Sequence, residues 1–250
     1  MNSEDLSDWL IVIPARLQSQ RLPRKPLADL AGKPLIVRVY ENLDAMRELG
    51  ASVVVATDHT DIQAVCKAHK IPTAMTSDKH QSGTDRCWEV AKNTNQRFIL
   101  NVQGDEPFIK TEDLSQLCKV MTHSNEYVMG TLAFQQYDVS EIDSPNVVKA
   151  VLNDASEAMY FSREPIPHDR ENLDRHGVCF WQHIGVYAFQ RDALQQFCNL
   201  PPGILEQREK LEQLRALEHG IKIIVAHAQT LTYGIDTSED LEAARARYQT

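Results

Sequence analysis

Arg16, Arg21, Arg24 and Lys25 lie between residues 14 and 28 with no acid among them, and Pro14, Pro23 and Pro26 fix φ in the chain that carries them. Cations this close repel one another unless an anion or a set of carboxylates compensates them. A stiffened loop of this kind suits the binding of a polyphosphate, with a solvated basic turn as the plainer alternative. Two acids complement it. Asp105 stands in Asn-Val-Gln-Gly-Asp-Glu-Pro (101–107) and Asp236 in Gly-Ile-Asp-Thr (234–237), each beside a glycine beyond an apolar run. Carboxylates are ligands for hard ions, so the two could hold Mg²⁺ against phosphates gathered by Arg16, Arg21 and Lys25. Taken singly, each is equally an aspartate that caps a turn or a helix.

Further polar clusters follow. His80 to Arg86 offers Ser82, Thr84 and backbone amides to a base or ribose, although a serine or threonine here also reads as a helix N-cap. In the segment from Phe161 to Arg170, Arg163 suits a substrate carboxylate through its bidentate fork; an ion pair with Glu164 or Asp169 is the alternative. His183 and Tyr187 are four apart on an expected strand and share a face, as two core residues would also do. Glu212 and Gln213 fall in an amphipathic helical pattern, where a solvated face is the ordinary expectation.

The elements that must position these groups follow from apolar periodicity. Strands are expected at Trp9–Ile13, 53–56, Ile71–Met75 and Phe98–Val102. Between and after them, helical patterns run from Pro34 to Gly50, through Ile62, Val65 and Cys66, and through Leu114, Leu117, Val120 and Met121. Alternation of strand and helix implies an α/β fold, a mostly parallel sheet with helices on both faces. From about 126 to 189 the rhythm changes to Val128–Phe134, Val147–Leu152, Ala158–Ser162 and His183–Phe189. This stretch predicts a small antiparallel insertion, with a hairpin turn at 153–157 and a polar interruption at His168–Gly177. Helical spacing returns at Leu194 and Phe197, and again over 202–218, ending at Gly220. A last strand, Ile221–Ala226, leads to a closing helix that starts at Ser238, its first turn rich in acids. One domain spanning 1–250 is expected.

The net charge of −9 over 250 residues argues against a general affinity for nucleic acid or an anionic membrane, and makes the basic loop a local exception. No apolar run approaches the ~20 residues needed to cross a bilayer. The segment Met1–Asp8 is acidic where a signal peptide would be basic, so a cytoplasmic protein is expected, with that segment frayed. Cysteines at 66, 87, 118, 179 and 198 form no paired motif and read as reduced structural thiols, and the histidines show no metal-binding spacing. Carboxylates are left as the metal ligands.

The ordered set of motifs resembles the 3-deoxy-manno-octulosonate (Kdo) cytidylyltransferase family from about Leu10 to Ala244. It comprises Pro-Ala-Arg…Arg-Leu-Pro…Lys-Pro-Leu (14–27), Ala-Thr-Asp (56–58), His-Gln-Ser-Gly-Thr-Asp-Arg (80–86), the 101–107 block, 160–170, His-Ile-Gly-Val-Tyr (183–187), Leu-Glu-Gln-Leu-Arg (211–215) and 234–241. The resemblance implies a Rossmann-related nucleotidyltransferase fold, with the insertion serving homodimer contact and the sugar pocket. It implies that CTP and Kdo give CMP-Kdo and pyrophosphate for lipopolysaccharide synthesis. By the same likeness Arg16, Arg21 and Lys25 would hold the triphosphate and Gln81, Ser82 and Gly83 the nucleotide. Asp105 and Asp236 would bind Mg²⁺ and, with Lys25, form the catalytic set. Gln103, Arg163, His183, Tyr187, Glu212 and Gln213 would line the sugar pocket. Where the family usually has glycine before the lysine of the first loop, this chain has Arg24, a strained choice if φ is positive there. An 8-amino-Kdo or sialic acid substrate, or a non-catalytic nucleotide-binding protein, are the rival readings.

Overall fold

The computed structural model describes residues 5–19, 21–124, 126–168, 170 and 180–248. Most of the expected polar interruption at His168–Gly177, and Cys179, lie outside them. The chain divides into two compact units, one made of the residues up to Leu114 together with those from Thr232 onward, the other of Ser115–Leu231.

In the first unit, β1 (Trp9–Ala15) is buried except for half-buried Pro14, as befits a strand covered on both faces. Trp9 stacks on Phe98 with ring centroids 4.8 Å apart. A two-residue hairpin, β2 (Asp29–Leu30) and β3 (Lys33–Pro34), turns through Ala31 and Gly32 at φ 53° and 83° and was not evident from the pattern. Beyond it the helix expected from Pro34 to Gly50 is two helices, α1 (Leu35–Asn42) and α2 (Asp44–Glu48), because the chain tightens at Leu43, whose N–H reaches Tyr40 O. Its expected apolar face, Leu35, Val39, Leu43 and Met46, is nonetheless fully buried. Next come β4 (Ser52–Thr57), α3 (Thr60–Ala68), β5 (Thr73–Met75), α4 (Gly83–Ala91) and β6 (Phe98–Asn101).

Four strands pair in parallel in the order β6-β1-β4-β5, with Ile11 opposite both Val53 and Leu100. Parallel strands put all their C-terminal ends on one edge, so the segments after Ala15, Thr57, Met75 and Asn101 gather there, where open α/β sheets bind ligands. The expectation that Met1–Asp8 is frayed fails for its described part. Leu6 is 3% exposed and its N–H bonds Leu49 O at 2.8 Å, because an apolar residue beside a strand start can cover the sheet end.

The boundary between the units falls within α5 (Thr111–His123). The second unit contains β7 (Met129–Gln136), β8 (Lys149–Leu152), β9 (Ala158–Ser162), β10 (Phe180–Gln190), α6 (Arg191–Asn199), α7 (Ile204–Glu209), α8 (Leu214–Glu218) and β11 (Ile223–Ala228). Its strand order is β11-β7-β10-β8-β9, antiparallel except for the β11 and β7 pair. The antiparallel insertion is therefore present. Its hairpin turns at 153–157, where Asn153 Oδ1 accepts from the N–H groups of Ala155 and Glu157 at 3.0 and 2.9 Å.

The single helical pattern over 202–218 is broken. Lys210 adopts φ 54° between α7 and α8, and Arg163 occupies carbonyls there, with Nε 2.7 Å from Glu209 O and Nη2 3.4 Å from Lys210 O. In the first unit, the closing helix α9 (Ser238–Tyr248) starts at Ser238 as expected and is capped by Thr237. Thr237 Oγ1 accepts from Asp240 N at 3.1 Å, and the Asp240 carboxylate accepts from Thr237 N at 2.9 Å.

Candidate active site

The loop after β1 leads into a short 3-10 turn, Lys25–Leu27, whose second residue, Pro26, has a fixed φ. Lys25 Nζ lies 2.6 Å from Asp105 Oδ2 and 2.9 Å from Asp236 Oδ1. Arg21 adds a second cation, 3.0 Å from Asp236 Oδ2. Burial works against the charge on Lys25, but the Asp105 and Asp236 carboxylates outweigh it and raise the lysine pKa above its ordinary value. The expected convergence of basic loop and aspartates is thus real within this unit. These groups line a cavity of about 450 Å³ together with Arg16, Gln18, Ser19 and Gln103.

Close backbone approach shapes the cavity. A Cβ at Gly104 would stand 2.8 Å from Pro14 O, so only glycine lets the β6 loop pass against the end of β1. Arg16 Nη2 donates to His80 O at 2.8 Å and thereby ties the basic loop to the second polar loop. There Ser82 caps α4 in a reciprocal pair with Asp85, at 3.0 and 3.2 Å, and Gln81 Nε2 reaches Lys79 O at 3.4 Å. Gly83 opens α4, where a Cβ would meet Pro14 Cγ at 3.2 Å. Arg86 is fully buried on Asp58, 2.7 Å away, which fixes α4 against the end of β4.

Arg24 has φ 55° and ψ 30°, so the position does require the left-handed region where the related family has glycine. Its guanidinium turns to Asp61, 2.7 Å away at the start of α3, and Arg24 is not among the cavity's lining residues.

One carboxylate was overlooked in the sequence. Glu106 is buried beside Asp105, and its Oε2 has no partner among the described residues. Burial, reinforced by the Asp105 charge, pushes its pKa up to about 8. Its position next to Asp105 is visible in the sequence; its burial is not.

The donor set fits a hard divalent ion better than a transition metal. Asp105 and Asp236 are oxygen donors of the kind a hard ion takes, but among the described residues no group of three His, Cys, Asp or Glu side chains could hold a metal, so phosphate and water would have to supply the remaining ligands of any ion there. Lys25 stands between the two carboxylates and balances their charge.

The other expected residues belong to the second unit. Phe161 meets the His183 ring edge-on at 4.9 Å, and His183 lies 5.6 Å from the Tyr187 ring. Tyr187 donates its hydroxyl to Gln213 Oε1 at 3.0 Å. Burial, with the nearby Glu212 charge, raises the Tyr187 pKa, and burial pushes His183 down to about 3. Gln213 is 2% exposed, contrary to the solvated face expected of its helix, because the break at Lys210 turns it inward. Its Nε2 is buried without a partner among the described residues. Arg215 holds Glu206 at 2.6 Å, with Glu212 3.8 Å away.

Arg163 is fully engaged. Besides the Glu209 and Lys210 carbonyls, it donates to Pro145 O at 2.8 Å. Glu209, which the sequence gives no reason to single out, accepts from Ser162 Oγ and Arg163 N at 2.8 and 2.9 Å. Lys149, fully buried, donates to Ser144 O, Val147 O and Arg163 O. Burial lowers its pKa.

A parallel sheet whose strand ends gather a basic loop, two converging aspartates and glycines that admit a ligand defines a nucleotidyltransferase. A family model described as cytidylyltransferase matches residues 10–223. The chain is 46% identical over 250 residues to the 3-deoxy-manno-octulosonate cytidylyltransferase of Polynucleobacter necessarius subsp. necessarius (strain STIR1), covering 98% of each. It is 44% identical to that of Neisseria meningitidis serogroup A / serotype 4A (strain DSM 15465 / Z2491), covering 98% of this chain and all of the relative. A solved structure of CMP:2-keto-3-deoxy-manno-octonic acid synthetase complexed with CTP superposes with a TM-score of 0.89 at 39% identity, covering 96% of this chain and 98% of that one. This chain belongs to the 3-deoxy-manno-octulosonate cytidylyltransferase family.

Proposed function

We propose that the protein transfers the cytidylyl group of CTP to Kdo, giving CMP-Kdo and pyrophosphate for lipopolysaccharide synthesis. The observation that carries this reading is the cluster of Lys25, Arg21, Asp105 and Asp236 in one basic cavity. The anomeric oxygen of the sugar forms a bond to the α-phosphorus while the α–β bridging bond breaks. Pyrophosphate leaves with the electron pair, and the hydroxyl proton passes to solvent.

Charge is gathered on the phosphates as the leaving group departs, and the chain supplies fixed cations to meet it. Arg16, Arg21 and Lys25 bind and orient the triphosphate; Gln81, Ser82 and Gly83 contact the nucleotide from the start of α4. Asp105 and Asp236 are the residues that would hold Mg²⁺, which when bound supplies neutralisation of phosphate charge and a lowered hydroxyl pKa. Lys25 keeps both carboxylates in place in the meantime. In the second unit His183, Tyr187, Glu212 and Gln213 bind the sugar, and Arg163 holds the turn at Lys210 that precedes the last two.

Pyrophosphate release tests the reading, with CTP and Mg²⁺ and either Kdo, its 8-amino analogue or N-acetylneuraminate, against no-sugar and EDTA controls. Release with Kdo and metal supports it; release with another sugar alone moves the substrate, and none with any sugar overturns it.

The enzyme acts in the cytoplasm as a homodimer. Among the described residues no helix is long and apolar enough to cross a membrane, and the homodimer is what the family resemblance implies. Light scattering at micromolar concentration tests the dimer, and a monomer mass refutes it.

A further inference from the structure

The register of β10 against β7 shifts between Ile184 and Tyr187, which face the adjacent residues Leu132 and Thr131. Gly185 and Val186 are the extra residues of this bulge, and bulges re-aim neighbouring side chains. Thr131 is fully buried beneath it. Its hydroxyl lies 2.6 Å from Val186 O, 3.3 Å from Ile184 O and 3.0 Å from His183 Nε2.

A hydroxyl has one proton to give and lone pairs to receive. The short contact to Val186 O takes the proton. Giving it to His183 instead would set the threonine oxygen against two carbonyl oxygens with no hydrogen between them. His183 Nε2 must then be the donor to Thr131. Because the ring is neutral, its other nitrogen keeps a bare lone pair, and among the described residues no second group bonds the imidazole.

We infer that Thr131 is a positioning residue that fixes His183 as the Nε2–H tautomer and presents Nδ1 as an acceptor for a hydroxyl of the acidic sugar. The inference rests on the reading of this pocket as the sugar site. It gives the pocket a polarity: a sugar hydroxyl can donate to Nδ1, whereas a carboxylate, which only accepts, is repelled from it. The unpartnered Gln213 Nε2 offers that carboxylate the opposite chemistry.

Two measurements test it. Imidazole ¹⁵N shifts of the ligand-free protein near pH 7.5 read the tautomer directly. Wild type and Thr131→Ser are expected to show the proton on Nε2, and Thr131→Val a mixture. In steady-state kinetics, Thr131→Val is expected to raise KM for Kdo about tenfold, the effect of one mispaired hydrogen bond, with KM for CTP within about twofold and Thr131→Ser restoring most of the loss. A proton on Nδ1 in wild type overturns the inference, whether or not the valine variant folds. So does an unchanged tautomer or an unchanged KM for Kdo in Thr131→Val, or a Thr131→Ser variant that rescues neither. If wild type turns over no Kdo, the reading of the pocket fails, and the ¹⁵N arm alone decides the role of Thr131.

Discussion

Lys25 Nζ and Asp105 Oδ2 meet at 2.6 Å across 80 residues of chain, and the same ammonium reaches Asp236 at 2.9 Å. One cation thus serves two acids drawn from the two chain segments of the first unit. Each aspartate keeps a partner when the other is lost, so function and stability respond differently to its removal.

Asp105→Asn and Asp236→Asn are each expected to lower turnover by about 10²–10⁴-fold, since each deletes a carboxylate that would hold Mg²⁺ against the reacting phosphates. Circular dichroism and the melting temperature should stay close to wild type. Near-normal pyrophosphate release from either variant removes that residue from the catalytic set.

Arg24 holds a left-handed conformation while its ion pair with Asp61 is exposed. The conformation costs about 1–2 kcal/mol, a surface pair returns less than about 1, and glycine adds unfolded-state entropy of similar size. Arg24→Gly should therefore shift stability by less than about 1 kcal/mol, whereas Arg24→Val, β-branched at positive φ, should destabilise by about 1–3 kcal/mol. Urea midpoints check both, and KM for CTP should hardly change in the glycine variant because Arg24 does not line the cavity.

Arg163 pins three carbonyls around the end of α7. Arg163→Ala is expected to cost about 2–3 kcal/mol and to raise KM for Kdo, because the turn at Lys210 sets Glu212 and Gln213. Arg163→Lys should rescue little, since an ammonium lacks the planar fork. A lysine variant with wild-type kinetics would sink this account.

Burial holds His183 down to about 3, while in the unfolded chain a histidine protonates near about 6.5. Between these values the unfolded state binds more protons than the native one, so stability is lost as pH falls through that window. His183→Gln should flatten the acid limb, losing about 1–2 kcal/mol less than wild type between pH 6.5 and 4.5, the ring being only half-buried. Denaturant midpoints at the two pH values give the comparison, and parallel losses in both proteins would contradict it.

The alternation of strands and helices was legible because apolar period survives in the sequence, and the basic loop and its aspartates were legible because their charges demand compensation. Breaks imposed from a distance were not. Nothing in residues 204–218 signals that Arg163, 47 positions before Lys210, takes the carbonyl oxygens where one helix would have continued. Ala31 and Lys210 hold positive φ without being glycine or asparagine, so neither turn announces itself. Glu106, Glu209 and Thr131 matter through what buries or bonds them, which spacing does not record. Leu6 went unread because one apolar residue in an acidic segment has no period.

Asp236 lies 211 residues after the lysine it pairs with. At the ribosome's pace, roughly 10–40 s separate the synthesis of the two, during which Lys25 and Asp105 can meet but the third member does not yet exist. A nascent chain therefore carries an unfinished centre, with one acid on Lys25 instead of two, until Asp236 has been added.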